Sequence, residues 1–362
     1  LSLASLRALG ATLGQQLYFD TNLSQNRTQS CATCHAPERG FADPRDNGVQ
    51  GAVSLGDDGH SLGDRNAPTA AYAMFSPKFQ LTEDGKYIGG QFHDGRENSL
   101  AGQAGGPPTN PVEMGMPSKA ATADRLQQND HYVASFKAIY GTEVFADASK
   151  AYAAMADSIA AFERTELFAP FDSKYDRFLR GDYQLSKQEE LGRTLFFSQQ
   201  FTNCNQCHQL QSSQRHPEET FSNYEYHNIG VPVNAEARAK NGVAANHIDR
   251  GLLDNPQVSD QAQAGKFKVP TLRNISVTGP YMHNGVFQDL RTVVLFYDKY
   301  NSRSAKRQIN PETGEQWGTP EVAENISLKE LERGPALKEK RVDALVAFMN
   351  TLTDQRYEHL LK

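Results

Sequence analysis

Two stretches of this sequence, SCATCH at residues 30–35 and NCNQCH at 203–208, set two cysteines and a histidine in the same order and spacing. In Cys-x-x-Cys-His the two thiols can add to the vinyl groups of one haem while the adjacent imidazole reaches its iron. The pattern predicts two covalent c-type haems, attached through Cys31, Cys34, Cys204 and Cys207, with His35 and His208 as proximal iron ligands. All four cysteines fall in these motifs, which leaves none for a disulfide elsewhere. The main alternative is one zinc ion gripped by both pairs. The long separation of the pairs, and the histidine that follows each, argue against it. A dithiol redox motif would not ordinarily come twice with the same trailing histidine. Thioether attachment of haem takes place outside the cytoplasm in bacteria, so the motifs also predict a periplasmic protein. The start at Leu1, without a basic leader, suits a mature chain whose export signal has been removed.

The elements that must position these groups repeat as well. LGQQLYF from Leu13 and LGRTLFF from Leu191 each lead through a polar segment into a Cys-x-x-Cys-His, which reads as an internal duplication of a haem-binding domain. Leu6, Leu9, Leu13 and Leu17 recur at helical spacing, as do Tyr152, Met155, Ile159 and Phe162, and Val342, Leu345, Val346, Met349 and Leu352. Each stripe predicts a core-facing helix. Ser186 with Glu189 three residues on is a capping box, and it sets a domain boundary that divides the chain into 1–183 and 184–362. The run from Gly48 to Pro68 and the stretch GGPPTNPVEMGMP at 105–117 are rich in turn formers, with little strand-like alternation. The expected fold is mainly α, with two cytochrome c-like domains, one haem in each, and long ordered loops.

At 362 residues the chain has room for two such domains. Its net charge of −6, with basic residues dispersed, argues against a nucleic-acid partner. No apolar run approaches the roughly 18 residues a membrane span needs.

With QSCATCH, GDRNAPT, GGQFHDGR, NPVEMGMP, FDSKYDR, FSNYEYHNIG, KVPTLRN and VTGPYMHNGVF in this order, the chain resembles the bacterial di-haem cytochrome c peroxidases over nearly its whole length, and among them the MauG-like enzymes. The resemblance implies two face-to-face haem domains with calcium between them, peroxide reacting at one haem while the other stores or relays an electron. Cleaving peroxide takes two electrons and one iron step supplies one, which gives the second haem a purpose. The distal side of a peroxide site needs an open iron position and a carboxylate to move a proton between the peroxide oxygens. Glu113 is similar in place to the family's acid/base, although read alone it would be a solvated loop carboxylate. Gln103 and Pro107 match distal-pocket residues, and His35 then holds the open, reactive haem. Tyr297 stands where typical peroxidases of the family place a methionine ligand of the second haem, as it does in MauG-like enzymes. An anionic phenolate favours ferric and higher iron, the opposite of a thioether. From the residues alone, Met282 or Met349 could be the ligand instead. Asn66 and the segment from Thr278 to Pro280 match the family's calcium site through one side-chain carbonyl and backbone carbonyls; the plain reading of Asn66 is a turn-stabilising amide.

Two positions depart from the family. The usual FWDGR is FHDGR here, so His93 replaces a tryptophan that lies between the haems; imidazole is harder to oxidise than indole, and a satisfied polar residue is the plain alternative. A surface tryptophan two residues before the second motif of MauG-like enzymes is Thr202, and Trp317 is the only tryptophan. These departures argue against the methylamine dehydrogenase precursor as substrate. MbnH-like relatives encoded beside copper-peptide genes oxidise a partner's tryptophan to kynurenine, though no residue here singles that reaction out. The expected activity is peroxide-driven oxidation of a partner protein's Trp or Tyr at long range through high-valent haem iron. The alternatives are a peroxidase drawing electrons from a small redox protein, and a di-haem carrier without catalysis.

Overall fold

The computed structural model describes residues 1–362. It is mainly helical. The first half carries α1 (Leu3–Tyr18), α2 (Cys31–Cys34), α3 (Leu100–Ala104), α4 (Lys119–Gln127), α5 (Asp130–Tyr140) and α6 (Ala148–Glu163). The second carries α7 (Lys174–Leu179), α8 (Lys187–Phe196), α9 (Ala235–Lys240), α10 (Leu290–Asp298), α11 (Leu328–Leu331) and α12 (Glu339–Asn350). Sheet is confined to two antiparallel pairs, Gln80–Leu81 with Tyr87–Ile88 and Tyr226–His227 with Phe267–Lys268. Side-chain caps start most of the longer helices, and the box expected at Ser186 forms: its hydroxyl accepts from Glu189 N at 3.1 Å and Glu189 Oε1 accepts from Ser186 N at 2.8 Å.

The repeated sequence folds twice in the same way. In the first half α1 packs on α6, and in the second α8 packs on α12. Both crossings are set by the glycine of the repeated Leu-Gly. A Cβ at Gly14 would collide with the Ser158 carbonyl and touch Phe162, and one at Gly192 would collide with the Ala344 carbonyl and touch Phe348. Only glycine lets the helices approach so closely. Around each crossing lies a separate apolar core, one running from Leu13 to Ala169 and the other from Tyr175 to Leu352.

One expectation needs correction. Leu9 is 42% exposed and Leu6 only partly covered, because the contact of α1 with α6 begins at Gly10; Leu13 and Leu17 carry the core stripe. A periodic stripe gives a helix face but not where along it the partner starts.

The halves are joined by polar locks. Arg65 donates to both oxygens of Asp249 at 2.8 and 2.7 Å and to Asp94 at 2.8 Å. Buried Asp354 accepts from Tyr72 Oη at 2.7 Å in one half and from Asn274 Nδ2 at 2.8 Å in the other. Tyr72 and Asn274 are equivalent positions: both are left-handed, and each leads into a short 3₁₀ turn. No helix is long and apolar enough to cross a membrane.

Candidate haem sites

Each motif histidine is oriented by the same device. His35 Nδ1 lies 3.2 Å from the Phe41 carbonyl and His208 Nδ1 lies 3.1 Å from the Phe221 carbonyl. A carbonyl only accepts, so Nδ1 carries the proton and Nε2 is left as the free ring nitrogen, the arrangement of a metal-binding imidazole. Phe41 and Phe221 are both fully buried and both left-handed, with φ of 58° and 57°, which turns their carbonyls toward the imidazoles. Burial lowers the pKa of both rings, that of His208 to about 4, and keeps them neutral. Nothing in the sequence marks these carbonyls, which belong to loops of different length and carry no residue-type signal.

The second motif opens on a large cavity lined by Cys204, Cys207, His208 and Tyr297, with apolar walls that include Leu272, Val294, Leu345 and Met349. Tyr297 is carried by the last turn of α10. Burial and the nearby thiols of Cys207 and Cys204 raise its phenol. Met282 lines the same cavity. This donor set, an apolar chamber with two thiols on one side and a free imidazole nitrogen, fits a covalent haem. The shared-zinc alternative finds no support, since no three His, Cys, Asp or Glu side chains converge on a point.

At the first motif, Glu113 lies near enough to Cys31 and Cys34 for its charge to raise both thiols. Burial raises the Glu113 carboxyl itself, opposed by a hydrogen bond from Asn110 and the charge of Arg96. Its turn is pinned to a neighbouring loop, with Asp57 N donating to Glu113 O at 2.7 Å, and a Cβ at Gly56 would stand 2.6 Å from Val112 O. Gln103 lies on α3, and Pro107 opens the 3₁₀ turn Pro107–Thr109 next to it. The Phe92 ring reaches Gly106, and the Arg96 guanidinium stacks 3.6 Å above that ring.

The duplication extends through these distal residues. Phe92 and Met282 are left-handed, Gly95 and Gly285 likewise, and the bridges Gln91 to Glu97 and Tyr281 to Phe287 match. Ser99 and Asp289 are the N-caps of α3 and α10. Counted from these landmarks, His93 pairs with His283 and Pro107 falls in the register of Tyr297. One half therefore has a phenol where the other has proline, which has no donor atom and ends α3 short of this point. Aligning the chain on itself from the two caps would have shown this.

Between the halves, His93 Nε2 donates to the Asn66 carbonyl at 2.8 Å, and Asn66 N donates to the His283 carbonyl at 2.7 Å. Burial holds the His93 pKa down to about 4, so the ring is neutral. Asn66 Nδ2 donates to Ala52 O at 2.9 Å, which leaves its side-chain oxygen uncommitted, and Asn66, Thr278 and Pro280 line the same cavity. An uncommitted amide oxygen beside backbone carbonyls suits a hard cation. Thr202 is buried, its hydroxyl donating to Leu195 O at 2.6 Å, so it stabilises the end of α8 and does not reach the surface.

Comparison with known proteins places this architecture. The family model for di-haem cytochrome c peroxidase matches residues 8–184. The methylamine utilization protein MauG of Paracoccus denitrificans is 54% identical over 352 residues, covering 97% of this chain and 90% of that one. The chain belongs to the di-haem cytochrome c peroxidase/MauG family. The crystal structure of the dihaem peroxidase BthA from Burkholderia thailandensis superposes with a TM-score of 0.85 at 29% identity, covering 98% of this chain and 88% of that one. A MauG-like protein associated with microbial copper homeostasis superposes with a TM-score of 0.70 at 28% identity, covering 96% and 90%. The protein is thus a haem-dependent oxidoreductase of the peroxidase type, with the mainly helical fold of its family and two haems implied by it.

Proposed function

We propose that this chain is a periplasmic enzyme that uses hydrogen peroxide to oxidise a tryptophan or tyrosine of a partner protein at long range. Each half is a cytochrome c-like domain holding one haem, with α7 packed against the second core. Cys31 and Cys34 attach the first and Cys204 and Cys207 the second, with His35 and His208 as proximal ligands. Two haems held there would supply the redox chemistry for two-electron cleavage of peroxide.

The chain's own residues divide the labour. Pro107, which offers no donor atom, would leave an iron position of the first haem free, and Gln103 would line the approach to it. Glu113, buried enough to keep its proton above the ordinary carboxylate range, can pass a proton from the near to the far peroxide oxygen. Tyr297 would help hold the second haem through its phenolate, a donor that favours oxidised iron. Asn66, Thr278 and Pro280 offer oxygens to a calcium ion between the halves. His93, neutral and tied to Asn66, holds that region in place and provides no easily oxidised ring.

The observation that carries this reading is Tyr297, a phenol without a hydrogen-bond partner in the cavity that also holds Cys204, Cys207 and His208. Resonance Raman and EPR spectra of the ferric protein test it. A low-spin haem with a phenolate signature is expected; methionine ligation would overturn the reading. A second reading, peroxide removal with electrons from a small redox protein, is supported by the likeness to the dihaem peroxidase BthA, with a TM-score of 0.85 at 29% identity. Rapid steady-state turnover with a reduced c-type cytochrome would establish it.

A further inference from the structure

The duplication that equates Gly14 with Gly192, Ser158 with Ala344 and Phe162 with Phe348 also equates the next residues, Glu163 and Met349. Met349 is 7% exposed and lines the cavity of the second haem motif. Glu163 is 6% exposed in the corresponding place, where its carboxylate charge is the strongest one acting on both the Cys31 thiol and the Tyr18 phenol. Tyr18 in turn donates its hydroxyl to the His35 carbonyl at 2.7 Å. Glu163 thus stands on the Cys31 side of the first pocket. No hydrogen bond acts on its carboxyl, and Arg164 is the one charge that does. A buried acid without a partner is costly and is kept neutral by its surroundings.

Its neighbours offer it little. Tyr18 from α1 and Cys31 from α2 lie within reach of its charge, with Cys34 and Glu113 near Cys31 and Tyr357 near Tyr18. The α3 helix carries no titratable side chain. From α4 and α5 the groups that reach α6 are engaged elsewhere along it, Lys119 over the Tyr152 ring and Tyr140 hydrogen-bonded to Asp157.

We propose that Glu163 is the proton-exchanging acid of the first haem pocket, taking up one proton from solvent as that haem gains an electron and releasing it as that haem loses one, whereas the second pocket has the inert Met349. This rests on the two-haem reading above. The physical basis is charge balance: ferric haem carries one more positive charge than ferrous haem, so it favours the Glu163 carboxylate, and ferrous haem favours the neutral acid. The pKa of the acid is therefore higher with the reduced haem. Between the two values oxidation and proton release are coupled, and reduction becomes harder as pH rises. Burial pushes the carboxyl up, above the ordinary carboxylate range, which raises this window. Below it the acid is neutral in both haem states, and above it ionised in both, and the coupling disappears.

The test is a spectroelectrochemical titration of the full di-haem protein from pH 6 to 10, with the two haems told apart by EPR of frozen samples. At fixed applied potential, the ferric-to-ferrous ratio of the first haem should rise by up to tenfold per pH unit inside the window, while that of the second stays flat. Glu163→Met, which copies the second pocket, and the near-isosteric Glu163→Gln should both flatten the first haem's response, and Glu113→Gln should retain it. A pH-independent first haem in the parent, an unchanged slope in both Glu163 variants, or loss of the slope in Glu113→Gln alone would each overturn the assignment. Haem content measured on the same samples separates the two levels: fewer than two covalent haems per chain would refute the di-haem reading itself.

Discussion

The two haem sites are built on one plan and differ at few places. In each, a Cys-x-x-Cys-His turn sits beside a glycine-mediated helix crossing, a left-handed phenylalanine aims its carbonyl at the histidine, and a helix starts at an equivalent position, Ser99 or Asp289. Eight residues beyond that start one site has Pro107 and the other Tyr297. At the matching position of α6 and α12 one has Glu163 and the other Met349. On the proposed assignment the first site is open and acidic, with Glu113 and Glu163 near Cys31, and the second is closed by Tyr297. Duplication supplied the scaffold, and function resides in the few positions where the copies parted.

That contrast can be broken at several points. Glu113→Gln should have the largest effect, slowing reaction with peroxide by roughly 10²–10⁴-fold if the carboxyl moves the proton. Stopped-flow mixing measures it, and an unchanged rate would remove the acidic character of the first site from the account. Tyr297→Met should erase the difference in the opposite sense. A thioether favours ferrous iron, so the second haem's potential should rise by on the order of 0.1 V, within the ~0.8 V that axial ligands control. A titration showing no change would mean that Tyr297 is not a ligand.

Where the copies agree, their variants should agree too. Gly14→Ala and Gly192→Ala each push a methyl group into a backbone carbonyl, and each should cost about 1–3 kcal/mol, seen as similar falls in thermal unfolding temperature. A large effect at one site alone would show that the two crossings are not equivalent. His93→Trp has the smallest expected effect, a several-fold faster equilibration between the haems after peroxide addition, offset by loss of the hydrogen bond to Asn66. An unchanged rate would take position 93 off the route.

Much of this was legible in the sequence because the chemistry is local. Cys-x-x-Cys-His needs no tertiary context, the repeated Leu-Gly announced the duplication, and the Ser186 box formed as read. The exposure of Leu9 was not legible, since periodicity is blind to where a partner helix begins. Glu163 was passed over for the converse reason. It follows the apolar stripe ending at Phe162 and looks like the charged end of a helix, yet its twin at Met349 shows that this position faces a pocket. The Asp354 lock joins residues far apart in the chain, so only the folded structure brings Tyr72 and Asn274 to one carboxylate.

The central claim is that both sites store oxidising equivalents together, the open one reacting and the tyrosine-ligated one sharing the charge. The most direct test mixes the fully ferric protein with one equivalent of hydrogen peroxide, without reductant, and follows both haems by EPR and optical spectroscopy. Both ferric signals should disappear together if the claim holds. Reaction only after one haem has been reduced beforehand would contradict it and identify a conventional peroxidase.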